Sequence, residues 1–95
     1  MNKYETIFII SENCSEEQIN NIIELIKTKI ESFSKNLISL ENRGKKKLAY
    51  EIKNNSCGTY VIIKFKTEPK NIQELERLYR ITEEIIKFIT IREEN

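Results

Sequence analysis

Ile81-Thr82-Glu83-Glu84-Ile85-Ile86-Lys87-Phe88-Ile89-Thr90-Ile91 is the stretch whose reading decides the fold. No glycine or proline stops a helix that enters it from the preceding residues, so Ile81 to Ile89 could be more helix. Phe88-Ile89-Thr90-Ile91 reads equally as a closing strand, because β-branched and aromatic side chains suit a pleated surface. The first reading leaves the element order βαββα. The second adds a final strand.

Upstream the elements are easier to place. Asn71 can cap a helix with Glu74 three residues on, and Ile72, Leu75, Leu78 and Tyr79 supply its apolar side. Pro69 ends the strand before it, Thr59 to Thr67. Asn54-Asn55-Ser56-Cys57-Gly58 is turn chemistry, so a hairpin is expected there. Leu37 to Leu40 and Lys46 to Lys53 read as one long strand or two pieces, with a glycine bulge near Asn42-Arg43-Gly44. Ser15-Glu16-Glu17-Gln18 fits a capping box. Ile19, Ile22, Ile23, Ile26, Ile30 and Phe33 then form one stripe at helical spacing. Tyr4 to Ile10 is the first strand.

This order fits a split βαβ arrangement, an α+β sandwich with two helices on one face of a four-stranded antiparallel sheet. The crossover rule places the first and third strands at its centre. Both are apolar on both faces: Tyr4, Thr6, Phe8 and Ile10 alternate with Ile7 and Ile9, and Val61, Ile63 and Phe65 with Tyr60 and Ile62. Helices cover one face only. Ile7, Ile9, Tyr60 and Ile62 are therefore expected on an open face, and contiguous exposed apolar surface marks a partner site.

Composition narrows the function. Ninety-five residues read as one domain, 1–95, with sixteen basic and fifteen acidic side chains and a net charge of +1. Bulk electrostatic coating of nucleic acid is excluded, so any such contact needs local clusters. No apolar run spans a bilayer and no signal-peptide pattern is present. Cys14 and Cys57 form no CxxC and read as free thiols. There is no histidine, no phosphate-binding glycine motif and no metal-ligand spacing. No cofactor and no catalytic residue is expected, and the paired glutamates read as solvated.

Three features favour RNA contact. Lys45, Lys46 and Lys47 follow Gly44 into a strand, which holds a cationic patch rigid. The alternative is edge protection against unwanted strand pairing. Arg77, Arg80 and Arg92 form a second basic set with Lys87, although Glu74, Glu76, Glu83 and Glu84 are available to pair with them. Lys3 sits beside Tyr4 near the N-terminus. The third strand lacks the glycine–aromatic pattern that stacks bases, so backbone contact is favoured over sequence readout.

Tyr4-Glu5 opens the first strand. Gly44 precedes basic residues and then Leu48-Ala49-Tyr50 and Ile52. Gly58 precedes an aromatic strand, and Leu75, Arg77 and Arg80-Ile81 precede the closing segment. In these residues the chain resembles the bacterial-type small-subunit ribosomal protein six family over essentially its whole length. The resemblance implies a ferredoxin-like fold, a second helix ending near Arg80 to Glu83, and a fourth strand over Lys87 to Arg92. It also implies a place in the platform of the small ribosomal subunit, cytoplasmic or organellar. There the family binds ribosomal RNA as a heterodimer with the basic small-subunit ribosomal protein eighteen. Lysines stand at 45 to 47 where the family often has arginine, which puts bidentate phosphate contacts there in question. The alternative function is a small regulatory or protein–protein interaction module on the same fold. Neither reading involves a membrane or a small-molecule substrate.

Overall fold

The computed structural model describes residues 1–34 and 36–93. The elements run β1 (Asn2–Ser11), α1 (Glu16–Phe33), β2 (Asn36–Ile52), β3 (Asn55–Thr67), α2 (Lys70–Ile81) and β4 (Ile85–Glu93). They build a four-stranded antiparallel sheet in the order β2-β3-β1-β4, with β1 and β3 at the centre as expected. This is the ferredoxin-like α+β arrangement.

The decisive stretch is not one helix. Thr82 adopts an extended conformation (φ −98°, ψ 98°). Its hydroxyl donates to the Leu78 carbonyl at 2.7 Å and its N–H to the Tyr79 carbonyl at 3.3 Å, which satisfies acceptors the helix leaves orphaned. Three residues later Ile85 and Ile86 are both buried, on opposite sides of the sheet. One more helical turn could not bury both, so sheet packing ends the helix where no breaker residue does. The fourth strand starts two residues earlier than expected, at Ile85.

α1 begins on the capping box read from the sequence. The Ser15 hydroxyl accepts from Gln18 N at 3.2 Å, and the Gln18 side chain accepts from Ser15 N at 2.7 Å. Its stripe buries Ile22, Ile23, Ile26 and Ile30, each contributing roughly 1.5–3 kcal/mol. The cap expected at Asn71 is not formed. Pro69 occupies that position without a side-chain bond, and Asn71 instead donates to the Thr67 hydroxyl at 2.9 Å. Proline already fixes φ near the helical value and has no N–H to satisfy, so the helix starts without a polar cap.

β2 is one strand with three irregularities, one of them at Gly44, where φ is +77°. Asn42 Oδ1 accepts from Gly44 N at 2.8 Å and closes that bulge. The hairpin turn is shorter than the sequence suggests. Within it Lys53 and Asn54 have positive φ (48° and 66°), the pattern of a two-residue hairpin turn. Asn55 to Gly58 already belong to β3. Gly58 is needed for space rather than for turning: a Cβ there would sit 2.5 Å from Ile9 Cγ2 and 2.9 Å from the Ile10 carbonyl oxygen.

The main core lies between helices and sheet. Phe8, Ile10, Val61, Ile63, Phe65, Leu75 and Tyr79 are essentially inaccessible within it. Tyr79 shares a 2.8 Å hydrogen bond with Thr6, which meets Thr90 at 3.0 Å. Burial pushes the Tyr79 phenol well above its ordinary pKa. A second, small core of Ile9, Leu48 and Ile86 lies on the opposite face. It corrects one expectation: Ile9 is only 5% exposed, because Leu48 folds over it.

Candidate protein-partner face and basic corners

Strand register assembles the open face row by row. Ile7 lies between Ile62 of β3 and Ile89 of β4, and Ile9 between Tyr60 and Lys87. Glu5 lies between Lys64 and Ile91, and Lys3 between Lys66 and Glu93. The face is thus apolar toward the hairpin and charged toward the start of β1. The four residues read as partner-binding are brought together here. Three are half-buried, and Ile9 is the floor beneath them. Ile89 and Ile91, 51% and 45% exposed, extend the patch. Alternation along Lys87-Phe88-Ile89-Thr90-Ile91 carries that signal, but only once the segment is known to be a strand.

The hairpin adds a wall. Lys47 pairs with Cys57 and Ile52 with Asn55, so Leu48, Ala49, Tyr50 and Glu51 face the single β3 residue Ser56. This surplus detaches from the ladder and crosses the open face. β2 and β4 are opposite outer strands, yet Lys87 Nζ of β4 donates to Tyr50 OH of β2 at 3.1 Å. The same ammonium lies 5.4 Å from the Tyr50 ring centroid. Beneath is a pocket of about 220 Å³ lined by Ile7, Ile9, Tyr60, Ile89 and the strap itself.

Asn55 ties the hairpin base to the end of β1. Its Oδ1 accepts from Glu12 N and the Ser11 hydroxyl, both at 2.9 Å, and its amide donates to the Ile52 and Lys53 carbonyls at 3.2 and 3.0 Å. All four polar capacities of a buried side chain are used. The sequence marks Asn55 only as turn-prone. Beside it the Cys57 thiol donates to Glu12 Oε2 at 3.0 Å. That bond holds the Glu12 carboxyl below its usual range and, with desolvation, pushes the Cys57 thiol up. Burial and the Glu84 charge raise Cys14. Both thiols are free.

The cations do not form one patch. Lys45 pairs with Thr59 and Lys47 with Cys57, whereas Lys46 faces Gly58, so alternation sends Lys46 to the open face and its neighbours to the other. All three are exposed on outer strand β2. Arg92 is exposed on the opposite outer strand, beside Tyr4 at the far end of β1. Arg77 lines a groove between the helices with Leu25 and Glu74. Arg80 turns toward β4, over the Phe88 ring at 5.8 Å and 4.0 Å from Glu76. Lys3 meets Glu93 at 3.5 Å. The structure therefore gives two separate basic corners, both on the helix side of the sheet, with the apolar open face behind them. Among the described residues, no group of three or more acidic, cysteine or histidine side chains could hold a metal ion, and no helix is long and apolar enough to cross a membrane.

Residues 3–92 match the family model described as Ribosomal protein S6. A small ribosomal subunit protein bS6 of Thermotoga petrophila is 46% identical over 90 residues, covering 94% of this chain and 70% of the relative. One of Campylobacter jejuni is 40% identical over 95 residues, covering 100% of this chain and 76% of the relative. The crystal structure of 30S ribosomal protein S6 from Thermotoga maritima superposes with a TM-score of 0.92 at 42% identity, covering 97% of this chain and 87% of that one.

Proposed function

Because the chain belongs to the ribosomal protein S6 family, we propose that it binds central-domain ribosomal RNA of the small subunit as a heterodimer with small-subunit ribosomal protein eighteen. Family membership makes it a structural, non-enzymatic constituent of the small ribosomal subunit. The finer reading rests on one observation. The Ile7–Ile62–Ile89 row and the pocket beside it leave apolar surface open on a sheet whose other face packs against the helices. A protein surface suits that face and RNA does not, since RNA binding is dominated by phosphate charge.

RNA is then left to the basic corners. Lys45 and Lys47 at one edge and Arg77, Arg80 and Arg92 at the other lie on the helix side of the sheet, opposite the partner face. Lys3 and Lys46 lie on the partner's side of the sheet. A chain of net charge +1 gains little from bulk attraction, so its RNA affinity depends on a basic partner held in register beside it.

Salt titration of binding to platform ribosomal RNA, with and without the partner, tests this. The heterodimer should bind with a steep dependence on salt, and the isolated chain weakly. Lys45→Ala and Lys47→Ala should each lower the slope of log affinity against log salt by about one where that lysine touches phosphate. Equal affinity with and without the partner would overturn the proposal. If no lysine variant changes the slope, the run serves as edge protection.

A further inference from the structure

We infer that Lys87 and Tyr50 act as a clasp. It holds the Leu48–Glu51 strap across the sheet and so sets the shape of the pocket that receives an apolar side chain of the protein partner. The inference rests on the reading of this face as the partner surface. Three observations carry it. The strap has left the β ladder, so main-chain pairing does not hold it between Lys47 and Ile52. Leu48 anchors its first residue in the small core with Ile9 and Ile86. Past that anchor the attachment is the contact of Tyr50, 65% exposed, with Lys87: a 3.1 Å hydrogen bond plus an ammonium over the ring.

Lys87 occupies the β4 position paired with Ile9, at the rim of the pocket. Its charge serves the wall of the protein site and so leaves the basic set read from the sequence. The pocket is open while the clasp is closed, so the partner need not break the contact. The clasp acts by pre-organisation: a strap already in place costs nothing to order when the partner binds. The pocket runs directly into exposed Ile89 of the Ile7–Ile62–Ile89 row. The fitting occupant is therefore an apolar side chain projecting from a protein surface that covers that row.

The test is a double-mutant cycle on the intact protein with purified ribosomal protein eighteen, read by calorimetry. Lys87→Met and Tyr50→Leu should each weaken the heterodimer about two- to fivefold, the range of an exposed cation–π contact. The double variant should be no weaker than the worse single one, since both changes remove one contact. Lys87→Arg should restore affinity, and Lys70→Met, which removes an exposed lysine from the start of α2, should leave it unchanged. In the free protein, nuclear Overhauser contacts between the Tyr50 ring and the Lys87 methylenes should be present, and Lys87→Met should broaden the Tyr50 ring resonances. Additive losses, absent Overhauser contacts, or single variants that bind like wild type would overturn the clasp. A wild-type chain that does not bind the partner would overturn the partner reading, and the clasp assignment falls with it. A chain that dimerises alone, with the clasp variants losing that dimer, would assign the pocket to a second copy and also overturn it.

Discussion

Ile62 and Ile63 are adjacent in β3 and serve opposite faces, which allows the two-face reading to be tested with one pair of variants. Ile63 is inaccessible in the main core, so Ile63→Ala should cost about 2–5 kcal/mol of stability. Ile62 is half-buried on the open face, between Ile7 of β1 and Glu41 of β2. Its neighbours determine the best substitution. Ile62→Asp would put two carboxylates directly opposite each other and destabilise the monomer for that reason alone. Ile62→Lys places the new ammonium against Glu41, so the isolated protein should lose only about 1 kcal/mol, part of one isoleucine's burial. A lysine there projects into the centre of the partner surface. Burying it without an interfacial partner should cost the heterodimer about 2–5 kcal/mol, at least a thirtyfold weaker Kd. Urea melts of the free protein and calorimetry with the partner measure the two effects separately. An Ile62→Lys variant that unfolds would make Ile62 a core residue. A folded variant with unchanged heterodimer affinity would refute the assignment of this face to a protein.

Gly58→Ala should destabilise by about 1–3 kcal/mol, because its new Cβ meets both the Ile9 side chain and the rigid Ile10 carbonyl; a urea midpoint equal to wild type would show that the strands part freely. Asn55→Ala should cost about 1–3 kcal/mol or more by stranding buried backbone groups, and amide exchange should rise at the hairpin base rather than throughout the sheet. Native protein should take two alkyl labels, one each on Cys14 and Cys57. Both should react more slowly at pH 8 than an unperturbed thiol, because their pKa values lie above the ordinary range and the thiolate is the nucleophile. With folded pKa values raised, the thiol form's contribution to stability is intact below the unfolded pKa and is lost as pH climbs through the folded ones. A stability curve that rises through that alkaline window would contradict the direction.

Most of the fold was legible because local and global signals agree. The α1 stripe, its capping box and the two-sided apolar strands each state a local preference that the sheet then uses. The features that were not legible depend on residues far apart in the chain. Asn55 reads as turn chemistry, and its role as a four-bond clamp exists only because Ser11 and Glu12 arrive 43 or 44 residues away in sequence. Gly58 reads as the end of a turn, but its requirement comes from β1. Lys87 belongs by composition with the arginines. Its place in the protein site follows from a strap whose three surplus residues carry Tyr50 across two strands.

The placement of charge explains why a near-neutral chain can serve an RNA-bound assembly. The crossover rule puts the two most apolar strands at the centre, and the helices can cover them on one side only. Toward the hairpin the uncovered side is built from Ile7, Ile9, Tyr60 and Ile62, so that part of it must be shared with another protein or shielded. This chain does some of each. The Leu48 strap buries Ile9 and leaves Ile7, Ile62 and Ile89 open. The row Ile7–Ile62–Ile89 carries no cation, and the lysines of the central strands, Lys3, Lys64 and Lys66, lie toward the start of β1. A lysine placed in the row of Ile7, Ile62 and Ile89 would lose its phosphate attraction as desolvation at the protein interface. A partner that supplies the missing positive charge while covering the apolar row resolves both constraints, and for that reason RNA affinity and heterodimer affinity should fall together when the open face is changed.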